Sequence, residues 1–119
     1  MQQVEALFEN QAFQPPKLMD VMNQCMLSTK DTDDIIRLLA QHNKLVRVEG
    51  DMYFHVHAIE EARRRAVAHL NKEGSLQSVD FKYMLDTTRK FAIPLLDYFD
   101  KIAVTRRAPD NTRYLGRHA

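Results

Sequence analysis

The sequence is poor in the residues that mark extracellular and membrane proteins. It has one cysteine among 119 residues, and Cys25 therefore has neither a disulfide partner within the chain nor a second thiol at a metal-binding spacing. Its apolar neighbours Met22, Met26 and Leu27 predict a small core residue, and a free thiol suits the cytoplasm. No apolar run approaches the roughly 20 residues that a membrane span needs. The first residues lack the basic and apolar regions of a signal peptide and begin within a helical pattern, as a fragment would.

The sequence also lacks motifs for catalysis. Its three glycines, Gly50, Gly74 and Gly116, are too far apart to form GxxxxGK[ST] or GxGxxG phosphate-binding loops. Ser75 and Ser78 have no patterned histidine and aspartate nearby that could activate a nucleophile. We therefore expect no enzymatic activity and no cofactor in this chain.

Two histidines are the one place where a metal site could begin. His55 and His57 flank Val56 with strand spacing, which predicts that both imidazoles point to the same face of a strand. The nearby carboxylates of Glu60 and Glu61 complete no recognised ligand pattern. Surface histidines on a strand are the favoured interpretation, and no metal site is predicted.

The composition is that of a folded protein, with 45% hydrophobic and 28% charged residues. The formal net charge of +1 is unevenly distributed. Residues 1–57 contain five basic and eight acidic side chains, a net charge of −3, whereas residues 58–119 contain twelve and eight, a net charge of +4. A polyanion would be attracted to the second half only.

A weak repeat with a period of 57 residues runs through the chain. It pairs Leu38-Leu39 and Lys44-Leu45 with Leu95-Leu96 and Lys101-Ile102, and an alternating segment follows each time. Helical periodicity predicts three helices in each half, near residues 4–11, 17–24 and 35–42, and near 58–72, 81–85 and 88–99. The alternating segments at 45–56 and 104–115 predict β-hairpins.

Three helices followed by a hairpin are the winged-helix order, in which the middle pair is a helix-turn-helix and the hairpin is the wing. We therefore predict a mainly α fold with small β-hairpins (α+β): two tandem winged-helix domains, an acidic, spacer-like one at 1–57 and a basic one at 58–119. Pro94 breaks a local rule, because an interior proline costs a helix about 3 kcal/mol or more. Either this helix is kinked or it begins late.

The basic residues occupy positions that a nucleic-acid binder would use. Arg89 and Lys90 lie at the start of the predicted recognition helix, where backbone N–H groups and the helix dipole attract a phosphate. The candidate binding residues are Thr88, Arg89 and Lys90 at that helix, Lys82 and Tyr83 on the helix before it, Arg63 and Arg65 on the first helix, and Arg106, Arg107 and Arg113 on the wing. Two weaker interpretations compete. The run of arginines at 63–65 could be a solvated face paired with Glu60 and Glu61, and Tyr83 could be a core aromatic rather than a stacking platform.

Two segments carry a resemblance to a known family. DTTRKFAIPLLDYFDKIAVTRR at residues 86–107 resembles the last winged-helix domain of the bacterial selenocysteine-specific elongation factor, and HNKLVRVEGDMYFH at 42–55 resembles its penultimate one. The resemblance implies a GTPase that delivers selenocysteinyl-tRNA to the ribosome at UGA, and whose C-terminal winged helices bind an mRNA hairpin, the selenocysteine insertion element. It also implies that Thr88, Arg89 and Lys90 contact this RNA, and that the GTP, Mg²⁺ and tRNA sites lie outside this chain. We expect a cytoplasmic monomer without membrane contact.

Two other functions remain open from the sequence. A DNA-binding winged-helix regulator would need base-reading side chains along the recognition helix, yet residues 91–95 are apolar. A recognition helix cannot enter the narrow major groove of A-form RNA, so an RNA binder would hold phosphates and unstacked bases instead, with Tyr83 or Phe81 as a stacking group. A protein-interaction adaptor is the second alternative, and a weak salt dependence of binding would favour it.

Overall fold

The computed structural model describes all 119 residues and divides them into two compact units, residues 1–59 (unit 1) and residues 60–119 (unit 2). Six helices and two separate two-stranded antiparallel sheets make up the chain. This is a mainly helical α+β architecture, as the sequence predicts. No helix has both the length and the apolar character needed to cross a membrane.

Unit 1 consists of three helices and a hairpin. They are α1 Gln2–Gln11, α2 Leu18–Cys25, α3 Thr29–Gln41, β1 Leu45–Glu49 and β2 Met52–His55. Pro15 and Pro16 lie buried in the segment between α1 and α2, where proline cannot continue a helix. Each of the three helices packs one apolar face into the core, and the first residue of β1 completes it. The buried core residues are Val4, Phe8, Val21, Ile36, Leu39 and Leu45.

Unit 2 repeats this order of elements. It holds most of α4 Val56–Glu73, then α5 Ser78–Met84, α6 Arg89–Lys101, β3 Thr105–Arg107 and β4 Arg113–Leu115. Leu76 exchanges two backbone hydrogen bonds of 2.9 Å with Arg113, so a short extended segment before α5 also pairs with the hairpin. The sequence did not predict this third segment. In the core, the rings of Phe81 and Phe99 meet edge to face with centroids 6.3 Å apart.

The position of Pro94 excludes one of the two alternatives that the sequence left open. Helix α6 begins at Arg89 and Pro94 is its sixth residue, so the helix does not begin late. Because proline has no N–H, the carbonyl of Lys90 lacks its usual helical donor.

The two units repeat with an offset of 60 residues, and the predicted period of 57 is wrong. The left-handed residues that end α2 and follow α3, Met26 and Asn43, correspond to Asp86 and Ala103. A shift of three residues places apolar residues on nearly the same face of a helix, so the hydrophobic pattern alone could not separate 57 from 60. The left-handed turn residues fix the register at 60.

The prediction that His55 and His57 share the surface of a strand is also wrong. Strand β2 ends at His55, and Val56 begins α4, so His57 lies in the first turn of a helix. The ring of His55 is 1% exposed. Its Nδ1 accepts a 3.1 Å hydrogen bond from the backbone N–H of His57, and its Nε2 lies 2.9 Å from Glu5 Oε2. Because the chain changes from strand to helix at Val56, the two side chains do not share a face: His55 is buried and His57 is exposed.

Candidate nucleic-acid interface

The helices α5 and α6 of unit 2 are joined by a tight turn. Leu85 is buried and Asp86 adopts a left-handed conformation with φ of 50°. The backbone N–H of Thr87 then donates a 3.1 Å hydrogen bond to the carbonyl of Lys82 and closes the end of α5. This turn fixes where α6 begins.

The start of α6 is cationic and has no side-chain cap. Thr88 is the N-cap residue, but its hydroxyl accepts no hydrogen bond from the first turn. Arg89 and Lys90 follow it, and all three residues are exposed. The backbone N–H groups of Arg89 and Lys90 precede the first helical hydrogen bonds, which Phe91 and Ala92 donate to the Thr88 carbonyl. Free N–H groups, the positive end of the helix dipole and two cations therefore coincide at one helix end.

The equivalent helix start in unit 1 is arranged differently. Ser28 Oγ accepts a 3.1 Å hydrogen bond from the Asp31 N–H, so this N-cap is satisfied within the chain. Asp31 also places a carboxylate in the first turn of α3, where it complements the helix dipole by itself. The two helix starts share a fold but only that of α6 suits an anion.

An exposed aromatic side chain lies on α5. The side chain of Tyr83 is 71% exposed, and the ammonium of Lys82 lies 4.5 Å from the centroid of its ring. The alternative that Tyr83 is a core aromatic is therefore wrong. Phe81 is completely buried in the core of unit 2, so it is excluded as a group on which a base could stack.

Two arginines of the wing and one that follows it line a single surface cleft. Arg106 and Arg107 line it together with Arg117 from the C-terminal segment. The guanidinium of Arg106 lies 5.0 Å from the centroid of the Tyr114 ring on the opposite strand, and Arg107 Nη1 lies 3.7 Å from Asp97 Oδ1. Arg117 was not among the predicted binding residues.

Gly116 allows the C-terminal segment to pack closely enough for Arg117 to lie beside Arg106 and Arg107. A Cβ atom at Gly116 would lie 2.2 Å from the carbonyl oxygen of Ala103, so the chain passes closer to the end of α6 than any other residue permits. The Gly116 N–H also donates to the carbonyl of Val104 at 2.9 Å. Glycine before the last basic residue was the signal that could have identified this return.

Arg113 does not belong to the exposed wing surface, which corrects the prediction that it contacts RNA. Its side chain is only 3% exposed. The guanidinium donates to Asp100 Oδ2 at 3.0 Å, to Asp97 Oδ1 at 3.0 Å and to the Asn111 carbonyl at 3.1 Å. All of these partners lie within unit 2, so Arg113 holds the wing against α6 instead of meeting a ligand.

The arginines of α4 are largely engaged within the chain. Arg64 and Arg65 both donate to the carboxylate of Glu61, and these hydrogen bonds, first that from Arg64, lower the pKa of Glu61 from 4.5 to about 2. Arg65 also donates to the Met84 carbonyl at 3.1 Å. Arg63 is exposed, and its Nη2 donates to the His118 carbonyl at 3.0 Å. The competing interpretation of a paired helix face therefore describes Arg64 and Arg65, while Arg63 keeps an exposed cation.

The predicted binding residues thus fall into separate groups. The start of α6 carries Thr88, Arg89 and Lys90, the side chains of Lys82 and Tyr83 are paired on α5, and Arg106 and Arg107 share a cleft on the wing. Arg65 and Arg113 serve contacts within unit 2.

Comparisons with known proteins agree on one family. Residues 68–114 match a family model described as the winged helix of elongation factor SelB. A selenocysteine-specific elongation factor from Desulfomicrobium baculatum is 29% identical over 107 residues, which cover 90% of this chain and 17% of that protein. The structure of the mRNA-binding domain of elongation factor SelB from E. coli, solved in complex with SECIS RNA, matches with a TM-score of 0.84 and 28% identity. That match covers 97% of this chain and 92% of the other. The resemblance found in the sequence and the winged-helix fold are confirmed.

Proposed function

We propose that this chain, a relative of the mRNA-binding winged helices of elongation factor SelB, binds an mRNA stem-loop, the selenocysteine insertion element. Unit 2 makes the contacts. The observation that carries this proposal is the uncapped, cationic start of α6, in a chain that matches over 97% of its length a domain solved with SECIS RNA. Such a helix end provides several donors and a favourable potential for one phosphate group.

The exposed side of α6 favours RNA over duplex DNA. After Lys90 the helix buries Ala92, Leu95 and Leu96, and its remaining residues as far as Pro94 are apolar and half-buried. No series of amide or guanidinium groups follows the helix axis, although such a series is what reads base edges in a major groove. Contacts from the helix start alone suit a phosphate and an unstacked base.

Tyr83 is the group in unit 2 best suited to such a base. Its ring is exposed, and Lys82 beside it supplies a cation for the neighbouring phosphate. Stacking of a base on an aromatic side chain is worth about 1–3 kcal/mol. The wing cleft with Arg106, Arg107 and Arg117 would hold a second stretch of backbone.

Unit 1 is proposed to be a second winged helix with a different task. Its elements recur in unit 2 with an offset of 60 residues, including the left-handed residues of the turns. Because the start of α3 is capped and acidic, unit 1 is expected to act as a spacer or docking surface and not as an RNA binder.

The remaining roles concern a longer protein, because the chain spans about one sixth of the length of the curated relative. In that protein a GTPase outside this chain would deliver selenocysteinyl-tRNA to the ribosome in the cytoplasm, and this chain would tether it to the message for recoding of UGA. For this chain itself we expect no catalytic step, no cofactor and a monomeric state.

Fluorescence anisotropy with labelled nucleic acids tests this function. A bulged stem-loop RNA is expected to bind more tightly than duplex DNA of the same length. Arg89→Ala and Lys90→Ala should each weaken RNA binding by at least about 1 kcal/mol and reduce the salt slope by about 1. Lys30→Ala is the matched control, because Lys30 occupies the position in α3 that Lys90 occupies in α6. Equal or tighter binding to duplex DNA, or unchanged affinity in both α6 variants, would contradict the proposal.

A further inference from the structure

A cluster of imidazole and carboxylate groups lies in unit 1, whereas the proposed RNA contacts lie in unit 2. Glu9 lies near the end of α1, His55 ends β2 and His57 lies in the first turn of α4. One potential ligand atom from each lies within 4.8 Å of the others. Glu5, one helical turn before Glu9, borders the same cluster through its contact with His55.

The distances within the cluster resemble those around a bound ion. Glu9 Oε1 lies 3.6 Å from His55 Nε2, and Glu9 Oε2 lies 3.5 Å from His57 Nδ1. Neighbouring ligand atoms around a tetrahedral ion with bonds of about 2.0–2.1 Å are separated by about 3.3–3.4 Å. Each oxygen of the Glu9 carboxylate thus approaches one imidazole at about this spacing. The three ligand atoms lie within 4.8 Å of one another, so side-chain rotations at the exposed Glu9 and His57 would have to draw them closer around an ion.

Burial distinguishes this cluster from a chance group of surface residues. His55 is 1% exposed, so its ring is held in place by the fold, whereas Glu9 and His57 are exposed and open to solvent. An ion could therefore enter from the surface and meet one fixed ligand. We propose that Glu9, His55 and His57 form a site for a divalent transition-metal ion such as Zn²⁺, with Glu5 or water as the fourth ligand.

The chemistry of the ligands selects the ion. Two nitrogens and a carboxylate suit Zn²⁺ and its neighbours among the transition metals, whereas Mg²⁺ and Ca²⁺ take oxygen ligands. The ion would link α1 to the end of β2 and the start of α4, so it would stabilise unit 1 instead of supplying a reaction. This reverses the expectation that the two histidines hold no metal.

Binding requires one change of tautomer. Because His55 Nδ1 accepts the His57 N–H, the neutral ring carries its proton on Nε2, which faces the carboxylates. The ion takes the place of that proton, and Nδ1 gains a proton through solvent, so the imidazole stays neutral. The His57 N–H loses its acceptor and turns to water at the exposed start of α4. The exchange lowers the affinity below that of a fully prepared site.

Isothermal titration of the untagged protein with ZnCl₂ tests the proposal. We expect saturable binding of one ion with a Kd below about 100 µM, and no binding of Mg²⁺ or Ca²⁺. Glu9→Gln and His57→Ala should each weaken Zn²⁺ binding by at least about tenfold. His42→Ala, which removes an exposed histidine of the same unit, and Cys25→Ser, which removes the thiol, should bind Zn²⁺ as the unaltered protein does.

Imidazole resonances in NMR spectra provide a readout that needs no variant. Zn²⁺ should shift the signals of His55 and His57 and leave those of His42, His69 and His118 in place. The absence of saturable binding overturns the site. So does Zn²⁺ binding that survives both Glu9→Gln and His57→Ala, or that disappears with His42→Ala or Cys25→Ser. None of these outcomes bears on RNA binding, which is assigned to unit 2.

Discussion

The buried guanidinium of Arg113 gives the sharpest quantitative test of the structure. Arg113→Met keeps most of the aliphatic bulk and removes every charged hydrogen bond. The lost contacts run from Arg113 to Asp100 Oδ2, to Asp97 Oδ1 and to the carbonyl of Asn111. The two contacts with carboxylates join β4 to the last turns of α6. We expect the substitution to destabilise unit 2 and to leave unit 1 unaffected.

The magnitude depends on what happens to the partners. Asp100 is 19% exposed and would remain largely buried, although the hydroxyl of Thr105 still donates to its Oδ1 at 2.6 Å. Asp97 is 47% exposed and can regain water. Removing one partner of a buried ion pair costs about 3–5 kcal/mol, and the hydration of Asp97 places this case near 3 kcal/mol. Each kcal/mol lowers the Tm of a domain of this size by about 4–8 °C.

Urea unfolding, monitored by hydrogen exchange in peptides from residues 89–115, measures the loss of stability in unit 2 alone. Lys72→Met is the control, since it removes an exposed cation of the same unit and should not change the unfolding midpoint. At a temperature where unit 2 remains folded, Arg113→Met should bind the stem-loop RNA with unchanged affinity. A loss of stability below about 1 kcal/mol would refute the buried pair. Weaker RNA binding by a folded variant would restore Arg113 as a contact residue.

Two further predictions concern other parts of the chain. The buried hydroxyl of Thr32 has no hydrogen-bond partner, so Thr32→Val should stabilise unit 1 by about 1 kcal/mol. The urea midpoint should rise while the slope of the transition stays unchanged. A lower midpoint would show that the hydroxyl forms a hydrogen bond. Because its folded pKa is about 2 and its ordinary value 4.5, Glu61 stabilises the fold above pH 4.5 and loses this contribution as the pH falls towards 2. An NMR titration of its carboxyl group should show a midpoint near 2 that rises in Arg64→Met, and a midpoint near 4.5 in the unaltered protein would disprove the pairing.

The sequence predicted the order of elements because apolar periodicity and turn residues agree along most of the chain. Ser28 and Thr88 occupy the N-cap positions of α3 and α6, and serine and threonine are residue types that favour this position. The features that the sequence did not predict depend on contacts between residues far apart in the chain. The bond pair that adds Leu76 to the wing joins it to Arg113, 37 positions away, and no local pattern announces it.

The candidate interface was predicted unevenly for a related reason. The exposure of Arg89 and Lys90 follows from their place at the start of an amphipathic helix, so the sequence sufficed there. Arg65 and Arg113 are engaged within unit 2 because the tertiary fold brings a carbonyl or a carboxylate next to each guanidinium, which the sequence does not reveal. Sequence charge counts treat a buried, paired arginine and a free one alike.

Net charge is therefore a poor measure of what separates the two units. Part of the positive charge of residues 58–119 is neutralised at short range by Glu61, Asp97 and Asp100, and those cations cannot also neutralise a phosphate without losing their partners. The difference that matters is local. In unit 1, Ser28 Oγ accepts a hydrogen bond from the first turn of α3, and Asp31 places a carboxylate there. In unit 2, no side chain caps the start of α6, and Arg89 and Lys90 place two cations beside its N–H groups. An uncapped helix start offers its N–H groups to an anion, so we expect the proposed RNA contacts in only one of the two units that repeat every 60 residues.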